Sequence, residues 1–217
     1  VTAANLSISG VSADSRVYDA TSSASLSGTA GLSGVFAGDQ VSLDPSSLAS
    51  VSASFADKNV GTAKAVTVTG YALASGGDSG NYTLLQPSGL SADITPATLT
   101  ISGLSADNKT YDTTTAASLS GTASITPLTS DAVTLQGTAV ASFASANAGS
   151  NVAVSLSGLS LGGSDARNYT LQAPALSATI TPATLTVGGL LANNKVYDGS
   201  TTATLSGAPV LSGALGS

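Results

Sequence analysis

Asp78-Ser-Gly-Asn-Tyr-Thr-Leu84 decides how this chain is read, because it returns as Asp165-Ala-Arg-Asn-Tyr-Thr-Leu171. Asp and Asn favour turns through side-chain hydrogen bonds to nearby backbone. Tyr-Thr-Leu then continues with the alternation of a strand. The segment has the shape of a tyrosine corner, in which a Tyr ring packs, its hydroxyl reaches backbone, and an inward position follows two residues later. Cys holds that inward position in antibody domains; here Leu84 would fill it by burial alone.

Outward from this segment the chain repeats itself. Leu6-Ser-Ile-Ser-Gly10 returns as Leu99-Thr-Ile-Ser-Gly103 and Leu185-Thr-Val-Gly-Gly189. Arg16-Val-Tyr-Asp19 returns as Lys109-Thr-Tyr-Asp112 and Lys195-Val-Tyr-Asp198. Leu26-Ser-Gly28 returns as Leu119-Ser-Gly121 and Leu205-Ser-Gly207, and Ile94-Thr-Pro96 as Ile180-Thr-Pro182. The offset between the first two copies falls from 93 at Tyr18 to 88 at Phe55 and 86 at Pro96. Stepwise loss places the deletions in a few loops. A period of this size suits a small domain better than a solenoid turn. The expected domains are 1–96, 97–182 and a partial third copy, 183–217, holding first strands only. Ile94-Thr-Pro-Ala-Thr-Leu-Thr100 runs from one copy into the next with almost no linker.

Within the first copy, apolar residues alternate with Ser and Thr at Leu6/Ile8, Leu26, Val41/Leu43, Val51/Phe55, Val66/Val68, Tyr82/Leu84 and Leu90/Ile94. Seven short strands punctuated by Gly, Asp, Asn and Pro predict an all-β chain of tandem immunoglobulin-like β-sandwich domains. A β-grasp-like mixed repeat is the alternative. No window shows a helical period.

Composition agrees. All twelve acidic residues are Asp, against four Lys and two Arg, and there is no Glu, His, Cys, Met or Trp. The absence of Cys excludes disulfides and thiol chemistry and is compatible with export. The absence of Met, even at position 1, points to an internal fragment or processed product, with any signal peptide or anchor outside it. A net charge of −6 with no basic cluster argues against nucleic acid or anionic lipid as partner. No apolar run approaches the length of a membrane-spanning helix.

Lys-x-Tyr-Asp-Gly, Asp-x-Gly-Asn-Tyr-Thr-Leu and a closing Ala-x-Ile-Thr-Pro-Ala together resemble the YDG-type repeat of large bacterial haemagglutinin-like and two-partner-secretion adhesins. The third copy keeps the motif glycine as Gly199, where the others have Ala20 and Thr113. The resemblance implies export to the cell surface or biofilm matrix and a stalk or spacer role projecting a distal binding region. A module binding host or matrix glycans, and a self-assembling filament completed by strand addition, are the alternatives. Neighbouring repeats of the same chain are the expected partners.

Candidate chemistry is sparse, and the expectation is that this chain is not an enzyme. Gly77-Asp78-Ser79-Gly80 resembles the nucleophile segment of trypsin-like proteases, which need an imidazole that this chain lacks. An isopeptide bond from Lys109 would need a buried carboxylate beside it, and the first copy has Arg16 there instead. A salt bridge from Arg16, Lys109 or Lys195 to a neighbouring Asp is the plainer expectation. Tyr18, Tyr111 and Tyr197 suit core or edge packing more than an aromatic sugar platform. Asp93, Asp107 and Asp112 near the first junction are the candidate calcium ligands, since calcium takes several carboxylate and carbonyl oxygens. No Asp-x-Asp-x-Asp-Gly loop accompanies them.

Overall fold

The computed structural model describes residues 1–128 and 130–215. The fold is all-β: its elements are strands and three short 3₁₀ turns, with no α-helix among the described residues. Among the described residues, no helix is long and apolar enough to cross a membrane.

The first repeat supplies β1 (Ala4–Ala13), β2 (Arg16–Val17), β3 (Leu26–Ser33), β4 (Ser52–Phe55), β5 (Gly61–Thr69), β6 (Tyr82–Leu85) and β7 (Ser91–Thr95). They form a three-stranded sheet in the order β3-β1-β6 and a four-stranded sheet in the order β2-β7-β5-β4. Two pairs are parallel, β1 with β6 and β2 with β7. Alternation of side chains sets the buried face. Val66 and Val68 point inward from β5 while Thr67 and Thr69 face out. Phe55 lies opposite Val66, and Ala53 opposite Val68. Ile94 and Ala92 complete that face from β7. Each large apolar side chain so buried contributes about 1.5–3 kcal/mol. The Val41/Leu43 stretch, expected as a strand, makes only an isolated bridge from Leu43 to Leu73.

The second repeat copies this plan in β8 (Ala97–Thr100), β9 (Ser102–Ala106), β10 (Lys109–Thr110), β11 (Ala116–Ala117), β12 (Leu119–Ser124), β13 (Thr134–Phe143), β14 (Gly149–Gly162), β15 (Tyr169–Gln172) and β16 (Leu176–Thr181). Strands β8 and β9 replace the single β1, interrupted at buried Ile101. The core of Phe143, Val154, Ala178 and Ile180 matches Phe55, Val66, Ala92 and Ile94 residue for residue. Even the bulge recurs: the register shifts between Gly61 and Lys64 and between Gly149 and Val152. The third repeat contributes two strand pairs, β17 (Thr186–Gly188) with β20 (Val210–Ser212) and β18 (Leu191–Ala192) with β19 (Leu205–Ser206). Their apolar residues, Val187 and Leu191 among them, stay exposed.

Two repeated motifs have a backbone origin. Gly28, Gly121 and Gly207 of the three Leu-Ser-Gly segments have φ near +91 to +95°. A Cβ there would stand 2.0–2.1 Å from the carbonyl oxygens of Gly10, Gly103 and Gly189, so both glycines of each crossing are sterically required. The residue after Tyr-Asp is left-handed in all three copies, with φ of 66° at Ala20, 69° at Thr113 and 75° at Gly199. This is a position glycine occupies without strain.

By contacts the chain divides into two compact units that do not follow the repeat boundaries. One comprises Val1–Leu99, Thr126–Thr134 and Leu161–Gln172; the other comprises Thr100–Ile125, Leu135–Ser160 and Ala173–Ser217. The first unit thus holds the whole first repeat together with three segments of the second, 97–99, 126–134 and 161–172.

Candidate functional site

The first unit is organised around one carboxylate. Asp131, whose side chain is 0% exposed, accepts hydrogen bonds from the Tyr18 hydroxyl at 2.7 Å, the Tyr169 hydroxyl at 2.6 Å and Lys58 Nζ at 2.5 Å. The first and third donors come from the first repeat; Tyr169 comes from the second. The Tyr18 and Tyr169 rings meet edge to face, 5.4 Å apart at 79°, a geometry their quadrupoles favour. Lys58 stands 5.9 Å over the Tyr18 ring and 3.4 Å from Asp165.

The tyrosine corner places these groups. The Asp165 side chain accepts the Ala132 N–H from a distant loop, and Asn168 N–H closes the turn on the Asp165 carbonyl. Tyr169 then enters β15 pointing inward, and its hydroxyl accepts the Leu128 N–H at 3.1 Å while donating to Asp131. Asn168 is fully buried: its Oδ1 accepts the Val60 N–H at 3.0 Å and its Nδ2 donates to Asn59 Oδ1 at 3.2 Å. The buried polar atoms of the cluster are therefore paired, as burial requires.

The charges follow from this geometry. Burial opposes ionisation of Asp131, but hydrogen bonds from Lys58, Tyr169 and Tyr18 outweigh it and hold the carboxyl below the usual range. Burial, then the Asp131 carboxylate, push the Tyr169 phenol up to about 12 and raise Tyr18 as well. The Asp131 hydrogen bond raises Lys58. At neutral pH the cluster is two carboxylates, Asp131 and Asp165, one ammonium and two neutral phenols. Its members donate and accept in a fixed pattern, and no group stands as a free base or nucleophile.

The basic-x-Tyr-Asp motif builds a closed loop beside the core. Asp112 Oδ1 accepts the Thr114 N–H at 2.9 Å, and Lys109 Nζ binds Asp112 and the Thr114 and Ala116 carbonyls. Lys109 and the Thr114 N–H bring the Asp112 carboxyl down to about 2. Arg16 binds Asp19 and the Thr21 carbonyl, and Lys195 binds Asp198 and the Ser200 carbonyl, in the same way. The expected salt bridges are present in all three copies. Arg16 and Lys109 also lie over the equivalent Phe55 and Phe143 rings, at 5.3 and 5.5 Å.

The other sequence candidates have local partners. Asp93 accepts the Ala63 N–H in the first unit. In the second, Asp107 accepts the Ser120 hydroxyl and Asp112 is clamped by Lys109. No group of three or more His, Cys, Asp or Glu side chains able to hold a metal ion forms among the described residues. Ser79 donates to the Gly76 carbonyl and closes a turn, and Asp78 accepts the Gln40 N–H and ties that turn to a distant loop. Tyr18 is buried, Tyr111 is half-buried against the second-repeat core, and Tyr197 is 92% exposed.

Sequence reasoning missed Lys58, Asp131 and Asn168. Lys58 aligns with Ala146 in the second copy, so comparison of repeats passed over it. Asp131 did leave a signal: it follows Leu128 by three residues, as Asp39 follows Phe36.

The family model described as the YDG domain matches residues 2–89, 95–177 and 181–217. No curated protein and no solved structure matches the chain.

Proposed function

The chain belongs to the YDG domain family, and from that premise we infer that it is a run of spacing repeats from an exported bacterial surface adhesin or matrix protein, holding a distal binding region away from the cell. The observation that carries this reading is the Asp131 cluster, in which the second repeat's corner is built into the first repeat's compact unit. A buried ion pair adds little net stability, whereas removing one partner is costly. Such a cluster therefore specifies which surface docks and in what register, which is what a spacer asks of its joints. The role is non-enzymatic; the chain has no His or Cys, and the ionisable groups of the Asp131 cluster pair with one another. The seven strands of the first repeat suit an immunoglobulin-like sandwich, with the parallel pairs β1/β6 and β2/β7 as the departures from it.

The test is to display the chain on a bacterial surface beneath a reporter epitope and vary the number of copies of residues 97–182. A spacer raises antibody access to the epitope with each added copy and captures no glycan from an array. Capture of a glycan by the displayed chain alone overturns the reading in favour of a binding module.

A further inference from the structure

The first repeat carries a second version of the corner that holds Asp131. Asp39 takes the place of Asp131, Tyr82 of Tyr169, Asn81 of Asn168, Asp78 of Asp165 and Phe36 of Leu128. The internal bonds are the same. The Tyr82 hydroxyl donates to Asp39 at 2.6 Å and accepts the Phe36 N–H at 3.0 Å, and Asp78 accepts the Gln40 N–H at 2.9 Å. What differs is the covering. Asn168 is fully buried under Asn59 and Val60, whereas Asn81 is exposed and Phe36 is 65% exposed. A cavity of about 320 Å³ opens at this corner, lined in part by Ala4, Phe36, Asp39, Asn81 and Tyr82.

We propose that the Asp39–Tyr82 corner is a docking surface for another YDG repeat joined directly ahead of β1, which would supply a buried Tyr hydroxyl and a Lys as Tyr18 and Lys58 do to Asp131. Three observations name that occupant. The same corner, one repeat later in this chain, takes those groups. Asp39 and Asp78 give the surface a negative charge that a lysine in the place of Lys58 matches. The start of β1 lines the cavity, just as β8 follows the first repeat's β7 with only Pro96 between them, so a repeat joined there arrives at the corner. This holds whether or not spacing is the biological role.

The experiment duplicates residues 4–96 in place, so that Pro96 of the added copy runs into Ala4 of the original, and follows hydrogen exchange by mass spectrometry. The expected result is exchange slowed at least about tenfold across 36–40 and 78–82 of the original copy. Tyr18→Phe in the added copy, or Asp39→Ala in the original, should reverse most of that slowing. Equal exchange with and without the added copy overturns the proposal, as does slowing that survives both substitutions. Slow exchange in the unextended chain at high concentration, lost on dilution, assigns the corner to a second molecule instead and also overturns it. Neither outcome touches the epitope test of the spacing role.

Discussion

Thr113→Gly should stabilise the protein. Thr113 sits at φ +69° immediately after Tyr111-Asp112, where the third copy has Gly199 at φ +75°. For an L-residue the left-handed conformation costs about 1–2 kcal/mol, and β-branching places Thr at the upper end. Glycine removes that strain but gains more freedom in the unfolded chain, which returns about 0.5–1 kcal/mol. The net gain is therefore about 1–1.5 kcal/mol. At roughly 2–4 °C per kcal/mol for a chain of this size, Tm should rise by about 2–6 °C. A Cβ at the equivalent Gly199 would meet nothing within 4 Å, and Thr113 is itself exposed, so lost packing should not offset the gain. Scanning calorimetry of the wild type, Thr113→Gly and Thr113→Ala separates the contributions, because Ala loses the branch but keeps the strained Cβ. The Ala variant should gain less than half as much. A Gly variant no more stable than the Ala variant would refute the argument that backbone strain explains the motif glycine.

Three other outcomes follow from named contacts. Gly121→Ala should cost about 3 kcal/mol or more, since its Cβ would stand 2.0 Å from the Gly103 carbonyl oxygen at φ +95°; urea titration reads the loss. Asn168→Ala should cost about 1–3 kcal/mol by leaving the part-buried Val60 N–H without its acceptor, and exchange at Val60 should rise with it. Because the folded pKa of Tyr169 is raised to about 12 from an ordinary 10, its contribution is complete below about pH 10 and disappears as pH rises through about 12. The Tm gap between wild type and Tyr169→Phe should close across that window. The depressed Asp131 works in the opposite sense, contributing above the ordinary carboxylate pKa of 3.8 and losing its contribution as pH falls through its lower folded value.

Much of the fold was legible because the repeat compares the chain with itself. Alternation placed Val66, Val68, Phe55 and Ile94 on one buried face, and the Asp-x-x-Asn-Tyr turn placed Tyr82 and Tyr169 inward. Sheet order was not legible, since strands this short carry no mark of which edge they join or whether they pair parallel. The Asp131 cluster was hidden for a more particular reason. Asn81 and Asn168 stand in the same motif, yet one is exposed and the other has no exposed surface. That difference depends on what docks against each corner, which local sequence does not encode. Tyr18 was correctly read as a packing residue, but its hydroxyl partner lies 113 residues away in a loop whose length changes between copies.

The first repeat grips the second through Asp131. A double-mutant cycle of Tyr18→Phe and Asp131→Ala, read by urea unfolding, tests it most directly. The two side chains share a 2.7 Å hydrogen bond to a buried charge, and coupling of about 1–2 kcal/mol is predicted. Additivity within about 0.5 kcal/mol would contradict the account, because it would mean that the two repeats meet without this bond joining them.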